Sequence, residues 1–258
     1  MMWRDTAVPS NSGSSAGARM IALDIDRIRR AFPGRTIDYH DVVDSTMLAA
    51  AGHPAGDVII AEEQTAGQGR HGHSWYSAPG DGIYCSLVLP QSPLLTLALG
   101  LATHSAIFEA TGLVCDLRWP NDLMLADRKV AGILVQATGR NAIAGIGINV
   151  NHSAFPGDVA SLATSLRLAA GRRFHREEIL LALLPAMEMM VAQDKAAILA
   201  AFTHLSSYAS GRRVQVEQSD GILEGTTVGL DPDGFLIVRR DDGTDTLIVA
   251  GGVRAARS

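Results

Sequence analysis

Cysteine is scarce in this chain of 258 residues: there are two, Cys85 and Cys115, thirty positions apart and outside any C-x-x-C spacing. That excludes a disulfide framework and a zinc ribbon, and a reducing, cytoplasmic setting is expected. No run reaches the roughly 18 consecutive apolar residues of a membrane span, so no membrane association is expected. The opening residues 1–19 are rich in Ser, Gly and Ala and lack an apolar stretch, so they are not a secretory signal. They read as a disordered tail, with Met20 an alternative to Met1 as the true start. Positive charge is also in deficit, 22 Lys and Arg against 27 Asp and Glu for a net −5, which removes the overall attraction to phosphate backbones expected of a dedicated nucleic-acid binder. A local basic patch stays open. No internal repeat is found. At 47% hydrophobic, with 26 Gly and 10 Pro, the chain is neither disordered nor collagen-like, and it is long enough to bury a full core.

Periodicity gives a helix over 21–32, a strand over 36–43 and, behind the N-cap cluster Asp44-Ser45-Thr46, a short helix over 47–51. A β-type run at 58–61 leads into a long segment, 62–82, with glycines at 67, 69, 72, 80 and 82. A loop of that length is too long to be mere connection. A strand over 83–89, a buried helix over 95–111, a strand over 114–119 and a hairpin of 122–126 with 129–137 follow. In the next strand, 143–150, Gly145 and Gly147 suggest that backbone or ligand approaches closely. Helices are expected over 177–193 and 196–205. Beyond Gly211 short β-type runs at 213–217, 222–230, 234–239 and 245–249 are separated by Asp-Gly turns, the spacing of a small barrel. The expected organisation is therefore an α+β domain over 20–208 and a small all-β domain over 211–256.

The loop places Gly67, Gly69 and Gly72 around Arg70. Glycines let successive N–H groups turn toward one point and the guanidinium adds five donors, which suits a carboxylate or phosphate. The G-x-G-x-x-G spacing also matches a dinucleotide fingerprint, but that motif must open a helix and 71–79 is not helical. A flexible surface loop is the bland alternative. His71 and His73, without Cys or acidic neighbours, read as solvated; Cys85 and Cys115 read as small core residues.

Asp44-Ser45-Thr46, then Glu63-Gln64-x-Ala66-Gly67-x-Gly69-Arg70-x-Gly72-x-x-Trp75, Arg118-Trp119-Pro120-Asn121-Asp122, Lys129-Val130-Ala131-Gly132-Ile133-Leu134 and Gly145-Ile146-Gly147-Ile148-Asn149-Val150-Asn151 together resemble the biotin–protein ligases. Five blocks in that family's order over 44–151 make the resemblance specific. It implies an enzyme that activates biotin as biotinyl-5'-AMP with ATP and Mg2+ and transfers it to a lysine of a biotin carboxyl carrier domain. The fold implied is a catalytic domain of the class II synthetase and lipoate-ligase type, with a mixed sheet and flanking helices, plus a C-terminal SH3-like β-barrel. About 20 residues precede the catalytic domain, too few for the three-helix DNA reader of repressor relatives, so no DNA binding is expected.

The resemblance sets biotin against Ser45, Thr46, Met47, Gln64, Gln68, Gly69, Arg70, Trp75 and Lys129, and ATP against Arg70, Asn121, Lys129, Asn149 and Phe155. Arg70, Lys129 and Asp122 are the implied catalytic residues, with Asp122 also meeting Mg2+ through the phosphates. The chemistry is reasonable: a neutral cyclic urea wants donors and acceptors that desolvate cheaply, and two anions brought together need fixed cations. Other readings stay open: Ser45 and Thr46 as a plain N-cap, Lys129 as a turn lysine, Asp122 as a hairpin cap, Trp75 as an anchor for the loop. Trp119 reads as core. Gln68 departs from the family, many of whose members carry a cation there. A lipoate–protein ligase and a biotin-sensing regulator without required catalysis are the alternative functions, and a weak homodimer is the expected assembly.

Overall fold

The computed structural model describes residues 22–157, 159–218 and 221–256. The expected tail over 1–19 lies outside them. Helix α1 (Ile25–Ala31) precedes β1 (Ile37–Val43), the one-turn helix α2 (Thr46–Ala49), β2 (Val58–Gln64) and β3 (Gly82–Pro90). Helix α3 spans Leu95–Thr111, as expected; it is apolar on nearly every face because it is buried, and it stops where Gly112 takes φ 75°. Strands β4 (Asp116–Arg118), β5 (Asp122–Leu125), β6 (Arg128–Thr138) and β7 (Asn141–Asn149) follow, then helices α4 (Leu166–Ala170), α5 (Arg176–Val191) and α6 (Lys195–Leu205). Helix α4 was not foreseen, since five residues carry too little periodicity to register.

Strands β1 to β7 form one mixed sheet in the order β1-β2-β3-β7-β6-β5-β4; β1 and β2 run parallel and the other neighbours antiparallel. Its two faces are unlike. Alternation in β3 and β7 sends Ile83, Cys85 and Leu87, with Ala144, Ile146 and Ile148, into the main core beneath α3 and α5. Both cysteines are buried, and burial pushes their thiols up to about 12, as inert core residues. The opposite face carries only a small cluster of Met47, Ala50, Ile59, Val88 and Ile143 under α2. Beyond it the positions on this face are Gly145 and Gly147 of β7 and Gly132 of β6, with Gly132 directly opposite Gly147. This bare strip is where the site lies.

The C-terminal strands β8 (Ser210–Gln218), β9 (Gly221–Leu230), β10 (Leu236–Arg239), β11 (Asp245–Ile248) and β12 (Gly252–Ala255) correct the expected SH3-like barrel. They form an open antiparallel sheet in the order β11-β10-β9-β8-β12. Closure would need the two edge strands to pair, and β12, absent from the sequence reading, pairs with β8 on the far side from β11. The sheet does not need to close on itself, because Val214, Val216, Leu236, Val238 and Ile248 join the same buried cluster as the large sheet. Trp119, core as expected, donates its indole N–H to Gly234 O at 2.9 Å across that junction.

Helix α6 packs on α3, β4 and β9, so it ties the two sheets together through Phe202, which is 1% exposed. Truncating Phe202 to Ala is expected to lower the unfolding free energy by about 3–5 kcal/mol in urea titrations. A loss below about 1 kcal/mol would mean that α6 is not part of the load shared by both sheets.

Candidate active site

The residues between β2 and β3 are a folded hairpin, not an open loop. Gln68 and Ser74 pair as an antiparallel bridge, Trp75 N donates to Gly67 O at 2.8 Å and Gly69 N to His73 O at 2.7 Å, and Arg70–Gly72 form one 3-10 turn. Gly67 is obligatory here: a Cβ would lie 2.6 Å from Trp75 O and 2.9 Å from Ser77 Oγ. His71 and His73 are exposed, as expected.

Folded down, the hairpin sets Trp75 on the glycine strip. A Cβ on Gly147 would fall inside the indole, and one on Gly132 would lie 2.8 Å from Lys129 Nζ and 3.0 Å from Trp75 Cζ3. At Gly145 it would meet Met47 Sδ at 2.6 Å. The remaining cavity is about 40 Å³ and is lined by Thr46, Met47, Gln64, Gln68, Gly69, Arg70, Trp75, Asn121 and Lys129 around these glycines. Nine residues scattered over 46–129 in sequence thus meet around one cavity.

One end of the cavity is polar and uncharged. Gln64 Oε1 accepts from Thr46 N at 2.9 Å and Thr46 Oγ1 at 3.1 Å, and Gln64 Nε2 donates to Ser77 Oγ at 2.9 Å. Ser86 Oγ donates to Thr46 Oγ1 at 2.8 Å. Ser86 and Ser77 were missed by the sequence reading, although Ser86 alternates with the core residues Cys85 and Leu87 and so had to face this way. Ser45 does not line the cavity: it is fully buried, and its Oγ caps α2 by accepting from Met47 N at 3.3 Å.

The other end is cationic. Arg70 Nη1 donates to Asn121 Oδ1 at 3.0 Å, and Asn121 is fixed in turn by donating to Ile133 O at 2.9 Å. Burial lowers the Arg70 pKa and the nearby Asp122 charge partly offsets it, but no carboxylate ion-pairs with Arg70 among the described residues. Lys129 Nζ lies 2.5 Å from Asp122 Oδ1 and 5.2 Å from the centre of the Trp75 ring, a cation–π contact. Asp122 Oδ2 accepts from Arg118 Nη2 at 2.5 Å. Burial alone would push the Asp122 carboxyl up; Lys129 and Arg118 outweigh it and hold the carboxyl below its ordinary range. With both oxygens taken by cations, Asp122 is poorly placed to ligate a divalent ion.

Residues 39–153 match the model of the biotin/lipoate A/B protein ligase family, and 209–253 that of the biotin protein ligase C-terminal domain. The chain is 33% identical over 234 residues to the bifunctional ligase/repressor BirA of Bacillus subtilis, covering 81% of this chain and 71% of that protein. The chain belongs to the biotin–protein ligase family. It is also 30% identical over 263 residues to the biotin–[acetyl-CoA-carboxylase] ligase of Mycobacterium tuberculosis, covering 97% of this chain and 88% of that one. Among solved structures, the Aquifex aeolicus biotin protein ligase in complex with biotin and ATP superposes with a TM-score of 0.77 at 29% identity, over 86% of this chain and 99% of that one.

Two expected ATP contacts of this biotin–protein ligase lie outside the cavity. Asn149, buried on β7, donates its amide to Thr164 O at 3.1 Å, tying down the segment that also pairs with Lys129. Phe155 stacks on His152, ring centres 5.1 Å apart and planes 15° from parallel, with Tyr76 edge-on at 6.3 Å. His152 is 1% exposed, with Nε2 against Tyr84 Oη at 3.2 Å. Burial pushes its pKa down to about 4, with smaller opposing effects from Asp81 and Arg176.

A histidine held neutral in the folded ligase takes up a proton only on unfolding, so between pH 6.5 and 4 the unfolded state binds more protons. Stability is therefore full above about pH 6.5 and lost as pH falls toward 4, by up to about 3 kcal/mol from this residue. Replacing His152 by Gln is expected to flatten the fall seen in urea titrations across that window. An unchanged slope would mean that His152 is not held neutral.

Proposed function

We propose that this ligase activates biotin as biotinyl-5'-AMP and transfers the biotinyl group to a lysine of a biotin carboxyl carrier domain. The observation that carries the reading is the polarity of the cavity. The uncharged Gln64 and Thr46, held from behind by the buried Ser77 and Ser86, line one end and the cations Arg70 and Lys129 the other, joined by a glycine floor. Biotin has that layout: a neutral cyclic urea, an apolar chain and a carboxylate. A dithiolane ring offers no donor or acceptor to replace the bonds that Gln64, Thr46 and Ser77 make to one another, so nothing would offset opening the cluster for it, which disfavours lipoate.

The cavity of about 40 Å³ admits a few waters, not a bicyclic ligand. In this reading Trp75 lifts from Gly147 and Gly132 to admit biotin and then closes over it. Gln64 releases Thr46 N and Ser77 Oγ to the ureido group, while Arg70 and Lys129 take the carboxylate. MgATP enters as substrate, its metal carried on the phosphates because Asp122 is committed to Lys129 and Arg118. A carboxylate oxygen attacks the α-phosphorus, the bond to pyrophosphate breaks, and the charge gathering on the phosphoryl oxygens is met by Arg70 and Lys129. The incoming lysine, as its neutral amine, then attacks the biotinyl carbonyl; the carbon–oxygen bond to AMP breaks with its electron pair going to AMP, and the amine's proton leaves to water. Asp122, held acidic, is a poor proton acceptor at neutral pH and serves to position Lys129.

Incubation of the ligase with biotin, MgATP and an apo carrier domain is expected to add one biotinyl mass to a carrier lysine, read by mass spectrometry. In pyrophosphate exchange, Lys129→Ala is expected to depress biotin-dependent turnover by a hundredfold or so while biotin affinity changes far less. Equal losses in both would refute the charge-stabilising role.

Gln68 lacks charge, so Arg70 is the hairpin's own cation for the adenylate. A hydrogen bond to a charged group contributes roughly 1.5–3 kcal/mol, so Arg70→Ala is expected to speed loss of biotinyl-adenylate about tenfold or more, and Gln68→Ala much less. Stopped-flow off-rates decide, and a larger effect at Gln68 would assign the anion clamp to the wrong residue.

A further inference from the structure

Resting on the ligase reading, we propose that Arg176, at the start of α5 and remote from the cavity, is a positioning residue that staples the two stems of the catalytic hairpin. Strands β2 and β3 pair only as far as Ala61 opposite Tyr84. Beyond that point they part: β2 runs on to Gln64 paired with β1 alone, and β3 begins at Gly82 paired with β7 alone. The hairpin that carries Arg70, Trp75 and Ser77 springs from these separated ends.

The Arg176 guanidinium occupies the fork. Its Nη1 donates to Glu62 Oε2 at 2.8 Å and to Gly82 O at 3.0 Å, and its Nη2 to Glu62 Oε1 at 3.2 Å. One planar group thus holds the outgoing and returning stems at a fixed separation where the backbone ladder no longer does. Arg176 is 3% exposed and Glu62 7%, so water does not compete for these bonds. Glu62 Oε1 also accepts from Leu23 N at 2.6 Å and Tyr39 Oη at 3.2 Å, which fixes the carboxylate against the chain ahead of α1 and against β1.

A buried ion pair seldom adds net stability over apolar packing of the same volume, and what it adds is geometry. Here the geometry matters because Gln64 lies two residues beyond Glu62 and Ser77, which it binds, lies on the returning limb. If the stems drift apart, the ureido cluster opens and the indole no longer seals the cavity.

The test uses two variants of the whole chain. Arg176→Lys keeps the charge beside Glu62, but a single ammonium lacks the fork that reaches Gly82 O as well. The double variant Glu62→Gln with Arg176→Met removes both charges together and leaves neither buried alone. Both are expected to lose biotinyl-adenylate about tenfold faster than wild type, to raise KM for biotin, and to speed amide hydrogen exchange over 65–81, while kcat for pyrophosphate exchange changes less than threefold. Adenylate retention within twofold of wild type in either folded variant overturns the staple. So does failure of both variants to fold, since Arg176 would then hold the domain and not the hairpin. A wild-type chain without biotin-dependent exchange overturns the ligase reading and this role with it, whereas an active wild type with unaltered variants overturns this role alone.

Discussion

Everything in the site leans on one constraint: one face of the central sheet must be bare where β6 and β7 meet. Gly132 and Gly147 stand opposite each other, and Gly145 opposite Leu134, so the strip is two strands wide. Glycine weakens a strand, and the fold tolerates three because the same strands bury Ala131, Ile133, Ala144, Ile146 and Ile148 on the other side. Met47, Trp75 and Lys129 come within van der Waals distance of the missing side chains. A methyl group at any of these positions would lift one of them, which makes the floor the datum from which the site is built.

Two buried carboxylates then set the positions of what rests on that floor, and they do different work. Asp122 lies between Lys129 and Arg118, beside the cationic end, and so fixes the direction of a charged group that acts on ligand. Glu62 lies with Arg176 under the hairpin stems and fixes a distance between two pieces of backbone. Neither pair is needed for burial of apolar surface, which the main core supplies. Both restrict where mobile parts can go, and that is the use to which a desolvated ion pair is best suited.

The sequence was most legible where function and local pattern coincide. Gln64, Arg70, Asn121 and Lys129 meet because each lies in a block whose spacing is short, and helix α3 was bounded correctly because Gly112 ends it with a positive φ. Legibility failed where a residue's meaning depends on a distant partner. Arg176 gives no local signal, since Glu62 is 114 residues away. Ser45 was left open between a binding residue and an N-cap, because both uses want a hydroxyl at a helix start, and the cap is what the structure shows. The bond from the Asn149 amide to Thr164 O, fifteen residues on, gave no signal either. The barrel was inferred from turn spacing, which gave four of the five strands and not which edges meet; the edge strand β12 and the shared core decide that the sheet stays open.

The charge balance of the chain resolves in the same place. A net charge of −5 argues against broad attraction to polyanions, yet Arg118 and Lys129 pair with the single carboxylate Asp122 while Arg70 lies near it without an ion pair. Three cations against one anion leave a local excess of two positive charges in a partly dry site. Such an excess is unfavourable until anions arrive, because desolvated cations lose hydration without gaining a partner. On the proposed function a biotin carboxylate and an α-phosphate would supply matching charge, so their mutual repulsion would be relieved by the same groups whose repulsion they relieve. The indole over Lys129 offers the ammonium an interim partner that is weaker than a carboxylate and therefore easily given up. On the proposed function, ligand binding would improve the resting arrangement electrostatically at the cationic end while displacing Trp75 from the floor, which would couple anion capture to opening of the cavity.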